Sequence, residues 1–296
     1  MTPGLTRRAF AGAVLALGAC SSRPSEPVRT LAPGTLRIGT YFVNPPFEYV
    51  SNGQRIGFEV DLMNEIARRL ALTPVFVDTR WETILQQMQA GQYDAIVGGI
   101  TITPERRRML AWSTPYMTTT LSLVIDSRRS PQIRSIADLK TASVGVQAAT
   151  TDYDIAVKMQ QRGEIGSIRV YSFAHIQDAM VDLAAGRITA VMKVYPVAAW
   201  LARQTPGLRI VAQVPDDPQP LGIGFANNNP ALLAAVNRAL ADLFVEGFGA
   251  AVGKDGDSVG GDDVDTVEQH GRGLLTQVLL QVPGRLVGIG GVAVHL

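Results

Sequence analysis

The chain has 296 residues, 46% hydrophobic and 18% charged, with a formal net charge of +1. That length suffices for two ordinary domains, the composition is globular, and the near-neutral charge supplies no global field to recruit nucleic acid or an anionic membrane. One cysteine and three scattered histidines exclude a disulfide framework and argue against a metal site.

The N-terminus reads "TRRAFAGAVLALGAC" from Thr6 to Cys20. Arg7 and Arg8 precede a short apolar core, Ala9 to Ala19. That core is too short to span a hydrocarbon layer of ~30 Å, so residues 1–20 read as a signal peptide. The paired arginines fit a twin-arginine or an ordinary secretory signal. "LGAC" resembles the bacterial lipobox, which implies a lipid-modified Cys20 and a periplasmic or otherwise extracytoplasmic, membrane-anchored lipoprotein. A Ser/Pro-rich tether, residues 21–33, follows.

From Gly34 the chain alternates strands and helices. "TLRIGTYF" is a strand and "GFEVDLMNEIARRLAL" a helix with Met63, Ile66, Ala67 and Leu70 on one stripe. "TPVFVDTRW" is a strand, "ETILQQMQAG" a helix stopped at Gly91, and "YDAIVGGITI" a strand. The order then recurs: strand "LKTASVGVQAAT", helix "DYDIAVKMQQRG", strand "SIRVYSF", helix "HIQDAMVDLAAG", strand "RITAVMKVYP". Such alternation implies parallel sheets covered on both faces. Two extended crossings, 118–127 and 208–226, join the repeats, so the second α/β unit is inserted into the first. The predicted lobes are 34–123 plus 222–245, and 124–221. Residues 229–243 form a helix. After Leu243 glycines crowd in, and 246–296 read as an atypical Gly-rich tail.

The stretch "GGITITPERRR" (98–108) ends a strand on two glycines and opens a basic helix at Pro104. It suits a phosphate cradle, a carboxylate grip or a solvated charge run. The phosphate reading is weak, because no Gly-Lys-Ser/Thr follows. A guanidinium holds a carboxylate bidentately, and a helix start adds positive potential.

The segments "PPFEY", "GFEVDL", "LQQMQAGQYDAIVGGITITPER" and "WSTPY" resemble the polar amino-acid family of bacterial extracellular solute-binding proteins, the receptors of ABC importers. The likeness runs from about Gly34 to Leu243. It implies the type II periplasmic binding protein fold: two α/β lobes joined by two hinge crossings, closing on a ligand. It also implies a monomer, an ABC permease as partner, an amino acid or other small carboxylate as ligand, and neither cofactor nor catalysis. By the same resemblance Arg106 binds the ligand's α-carboxylate. Gly99 and Thr101 meet its main-chain groups, Trp81 walls the pocket, and Thr150 and Thr151 present the second lobe's N–H groups. Arg107 and Arg108 are read as solvated.

The sequence departs from the family at several positions. Ala149 stands where glycine is usual. Asn44 replaces an aromatic, and Tyr41 an often acidic residue. Val194 occupies the place of the aspartate that binds the α-ammonium. Two ligand classes therefore stay open: an amino acid whose ammonium meets Glu48, Asp152 or Asp78, or a carboxylate without an α-ammonium. Lys193 in the cleft would favour the second, and Lys193 snorkelling to water would not. A secreted dehydratase on the same fold, with Glu48 and Lys193 as acid or base candidates, and a ligand sensor serving a separate membrane receptor are the other readings.

Overall fold

The computed structural model describes residues 28–252. The signal peptide, Cys20 and residues 253–296 of the tail lie outside this range. In the first part of the chain come β1 (Thr35–Thr40), β2 (Val43–Asn44), β3 (Glu48–Ser51), β4 (Gln54–Ile56), α1 (Phe58–Arg69), β5 (Thr73–Asp78), α2 (Trp81–Gln89), β6 (Ala95–Ile96), α3 (Pro104–Met109) and β7 (Ala111–Trp112). Next come β8 (Met117–Asp126), β9 (Ser143–Gln147), α4 (Thr151–Gln161), β10 (Ser167–Tyr171), α5 (Ile176–Ala184), β11 (Ala190–Val194), α6 (Tyr195–Gln204) and β12 (Leu208–Leu221). β13 (Gly224–Phe225) and α7 (Pro230–Val252) complete the order.

Two five-stranded sheets carry the two lobes. The first has the order β5-β1-β6-β13-β7 and the second β10-β9-β11-β8-β12. In the first, β1 runs parallel to β5 and β6. In the second, β9 runs parallel to β10 and β11, while β8 is antiparallel to β11 and β12. Helices α1, α2, α4 and α5 pack on the parallel strands, and α6 packs on the antiparallel pair β8 and β12. In α1 the buried stripe is Phe58, Val60, Met63, Ile66 and Ala67, and burying each large apolar side chain contributes about 1.5–3 kcal/mol. A small antiparallel sheet, β2-β3-β4, extends the first lobe.

The chain leaves the first sheet after Trp112 and returns to it at Gly224. Between these points β8 and β12 run side by side from Met117↔Leu221 to Asp126↔Leu208, with register breaks at Ile210/Ala212 and Gln213/Pro218. An antiparallel bridge, Thr101↔Leu221, ties the first lobe to the foot of this pair.

Three elements differ from the sequence reading. The strand predicted over "YDAIVGGITI" narrows to β6, because Gly98 and Gly99 take φ of 154° and 58° and turn the chain out of the sheet. The strand predicted through Pro196 stops at Val194, and α6 begins there with Pro196 in its first turn, where the missing N–H costs nothing. The last helix does not end at Leu243 but runs to Val252. Its glycines at 247 and 249 each weaken a helix by about 1 kcal/mol without stopping it.

Gly57 sets the entry of α1. Its φ is 130°, and a Cβ there would lie 2.4 Å from the Phe47 carbonyl oxygen. This close approach lets Phe58 N donate to Pro46 O at 3.0 Å and Glu59 N to Phe47 O at 2.9 Å. Gly57→Ala is expected to lower stability by about 2 kcal/mol or more in urea unfolding. A loss under about 0.5 kcal/mol would show that the entry is not tightly specified.

Candidate functional site

Arg106 sits in the first turns of α3. Thr103 caps that helix, its hydroxyl accepting Arg106 N at 3.2 Å. The Arg106 guanidinium donates from Nη1 to Thr101 O at 2.8 Å, and its Cζ lies 4.9 Å from the Trp81 ring centroid. These contacts fix the fork without consuming it. Among the described residues no carboxylate forms an ion pair with Arg106. Burial pulls its pKa down, while Tyr41, Asp154 and Asp152 oppose that pull. Arg107 and Arg108 are exposed, and Arg108 pairs with Glu105 at 3.3 Å.

A cavity of about 30 Å³ lies in front of Arg106. It is lined from the first lobe by Tyr41, Asn44, Trp81, Gly98, Gly99 and Thr101, and from the second by Thr150, Thr151, Asp152, Phe173, Lys193 and Val194. The structure thus gathers around one cleft Arg106, Thr101, Gly99, Trp81, Thr150, Thr151, Tyr41, Asn44, Lys193 and Val194, and with them Asp152 of the three candidate ammonium partners. It adds Gly98 and Phe173. A larger open groove of about 400 Å³, lined by Arg169, Tyr171 and Arg187 among others, lies away from these groups on the second lobe. The cleft is preferred as the site because the unpaired cation, the helix start and both lobes meet there.

Aromatic rings close the cleft. Phe173 stacks on Trp81 with centroids 5.3 Å apart and meets Tyr41 edge-on at 4.6 Å. Trp81 Nε1 donates across the cleft to Ala149 O at 3.1 Å. Tyr49 and Trp200 form another contact between the lobes, at 5.9 Å. Ala149 has φ of 60°, the left-handed conformation that glycine adopts more cheaply. No sequence signal marked Phe173, because it follows β10 in a short 3-10 turn whose pattern resembles any strand end.

Some polar groups are already engaged. Gly99 N donates to Glu59 Oε2 at 2.9 Å, so only its carbonyl is left to face the cleft. The Thr101 hydroxyl donates to Gln219 Oε1 at 3.0 Å, and the Thr150 hydroxyl donates to Gln147 O at 2.7 Å. Lys193 does not snorkel to water: it is 4% exposed and donates to Gln147 Oε1 and, at 3.3 Å, to Asp152 Oδ2. Of the three acids considered as ammonium partners, Asp152 lines the cavity, Glu48 is buried outside its lining, and Asp78 is exposed at the end of β5.

Behind Gly98 and Gly99 lies a buried acidic cluster. Glu59 accepts the Tyr116 hydroxyl as well as Gly99 N. Neither oxygen of the fully buried Glu48 has a hydrogen-bond partner among the described residues. Burial first, and then the Glu59 carboxylate, push the Glu48 carboxyl well above its ordinary pKa, with Asn44 opposing. The Tyr41 and Tyr116 hydroxyls are likewise pushed up, chiefly by burial. Among the described residues no helix is long and apolar enough to cross a membrane, and no group of acidic, histidine or cysteine side chains is arranged to hold a metal.

Comparison with known proteins places this geometry. Residues 36–252 match the bacterial extracellular solute-binding proteins, family 3. ABC transporter arginine-binding protein 1 of Escherichia coli is 28% identical over 217 residues, covering 72% of this chain and 86% of the relative. The L-cystine-binding protein TcyJ of the same organism is 27% identical, covering 72% and 79%. The structure of an ancestral arginine-binding protein bound to arginine superposes with a TM-score of 0.66 at 31% identity, covering 74% of this chain and 96% of that one. An ancestral amino acid-binding protein described as a precursor of cyclohexadienyl dehydratase gives 0.65 at 31%, covering 74% and 93%.

The buried Glu48 makes stability depend on pH. Its folded pKa is raised above the ordinary value of 4.5, so the folded state holds the proton more tightly. The contribution is complete below the unfolded value and is lost as pH rises through the folded one. Glu48→Gln mimics the protonated acid. Its unfolding midpoint is expected to fall less than the parent's as pH rises above the ordinary carboxylate range. Parallel profiles would mean that Glu48 is ionised in the folded protein.

Proposed function

The chain belongs to the bacterial extracellular solute-binding proteins, family 3, and from that premise we propose that it is the substrate-binding component of an ABC uptake system, capturing an amino acid or related small carboxylate between its lobes. The observation that carries this reading is the half-buried Arg106 fork, oriented by Thr101 O and Trp81 and left without a carboxylate partner. A buried cation of this kind is stabilised by an anion that supplies two parallel acceptors.

In this reading the first lobe, predicted as 34–123 with 222–245, and the second, 124–221, move against each other, with β8 and β12 of the second sheet as the crossings between them. Bending at the register breaks between β8 and β12 lets them separate. The first lobe takes the carboxylate on Arg106, beside Gly99 and Thr101. The second lobe then swings Thr150, Thr151 and the start of α4 over it, and Phe173 and Ala149 meet Trp81. A ligand favours closure only by binding the closed form better than the open one. The closed form docks on its permease and delivers the cargo.

Capture without chemistry is favoured over a dehydratase. General acid or base catalysis needs a titratable group within reach of the substrate. Glu48 does not line the cavity, and Lys193, which does, spends two of its three N–H groups on Asp152 and Gln147 and acts as a hydrogen-bond donor. The protein acts outside the cytoplasm as a monomer, anchored through a lipid on Cys20, and needs no cofactor.

Calorimetry of the purified protein against the common amino acids and their 2-oxo acids tests the reading. Arg106→Lys keeps the charge and loses the fork. It is expected to weaken whichever ligand binds by about 30-fold or more, with the fold intact by circular dichroism. Tight binding that survives this substitution would contradict the carboxylate grip.

A further inference from the structure

We propose that the ligand carries an oxygen, not an ammonium, on the carbon beside its carboxylate, so that the cleft is built for a 2-oxo or 2-hydroxy acid. The inference rests on the capture reading above and narrows its ligand class. It follows from the donors and acceptors that face the cavity.

The cleft already contains an ammonium. Lys193 on β11 buries its Nζ against Gln147 Oε1 and Asp152 Oδ2. The network is oriented throughout. Gln147 Nε2 donates to Phe173 O at 2.6 Å, which turns its amide oxygen toward Lys193, and Gln147 N donates to the same Asp152 oxygen at 3.3 Å. An ammonium has three N–H donors and no acceptor. Two are taken inside the second lobe, and the third is left for the cavity that Lys193 lines.

The acceptors tell the same story in reverse. Gly98 O receives the Tyr41 hydroxyl and, at 3.4 Å, Asn44 Nδ2. Thr101 O receives Arg106, and Asp152 Oδ2 receives Lys193 and Gln147, which leaves the Gly99 carbonyl and Asp152 Oδ1 as acceptors at the cavity. The positions where the family resemblance leads one to expect acids hold Tyr41 and Val194, which carry no charge to offer an incoming cation. The charged residues lining the cavity are Arg106, Lys193 and Asp152. Within the lining itself two cations against one anion leave one positive charge in excess, with Asp154 acting on Arg106 from beyond it. A monoanion balances that excess. A zwitterion does not, and it would bring a second ammonium beside Lys193 with no carboxylate of its own.

Matched ligand pairs test the inference, because pyruvate and L-alanine, or 4-methyl-2-oxopentanoate and L-leucine, differ only at the α substituent. Calorimetry with the full chain is expected to show the oxo acid of at least one pair binding roughly 100-fold or more tighter than its amino acid. Lys193→Met should weaken the oxo acid by roughly tenfold or more. Because it leaves Asp152 buried and unpaired, the double variant Lys193→Met/Asp152→Asn is measured beside it and is expected to show the same loss. An amino acid that binds more tightly than its oxo acid, and whose binding is lost in Arg106→Lys, overturns this inference and leaves carboxylate capture standing. Oxo-acid binding unchanged in the double variant also overturns it. If no acid of either kind binds in an Arg106-dependent way, the capture reading fails and this one fails with it.

Discussion

The site depends on one cation held in place without being neutralised. Arg106 is gripped through a single N–H by Thr101 O and is roofed by the Trp81 ring, and no carboxylate of the described chain answers it. A partly buried guanidinium is costly unless charge and hydrogen bonds compensate it. The protein supplies orientation and withholds the counter-charge. The proposed capture of an acid rests on that uncompensated charge.

The fold explains how such a group stays fixed. Gly98 and Gly99 turn the chain out of the first sheet, and Thr103 starts α3 five residues later, so Arg106 reaches back over its own strand end. Beneath it, Gly99 N is anchored on Glu59, which α1 carries at its first turn. Gly57 lets that helix begin directly against the Phe47 carbonyl. Stability of the first lobe and placement of the grip are therefore one problem. The second lobe brings a separate rigid unit, the Lys193, Gln147, Asp152 and Phe173 network, to the opposite wall. The inter-lobe contacts are mostly aromatic, Phe173 on Trp81 and Tyr49 on Trp200. Ring contacts of this kind are worth about 0.5–1.5 kcal/mol each beyond burial, which suits the reversible closure proposed above.

Much of this was legible in the sequence. The alternation of periods marks the two sheets, and the strand-glycine-threonine-proline-arginine order of residues 98–106 singles out Arg106, which lines the cleft. What was hidden had physical reasons. Phe173 packs across the cleft from a short turn, so no periodicity announces it. Asp152 is a candidate partner for a ligand ammonium in the sequence, but its pairing with Lys193, forty-one residues on, is not encoded in local pattern. The helix α6 was masked because a strand and a helix start share the apolar run around Val194, and only Pro196 marks the change. Gly99's lost N–H depends on Glu59, forty residues earlier, a pairing that local pattern does not encode.

The central claim is that an acid enters the cleft carboxylate-first on Arg106. The most direct measurement is a crystal structure of the protein grown with pyruvate and, separately, with L-alanine. The account predicts a carboxylate seated in parallel hydrogen bonds on the Arg106 fork, with Lys193 Nζ donating to the 2-oxo oxygen. A carboxylate bound elsewhere in the cleft, with Arg106 turned to solvent or to a protein acid, would contradict it.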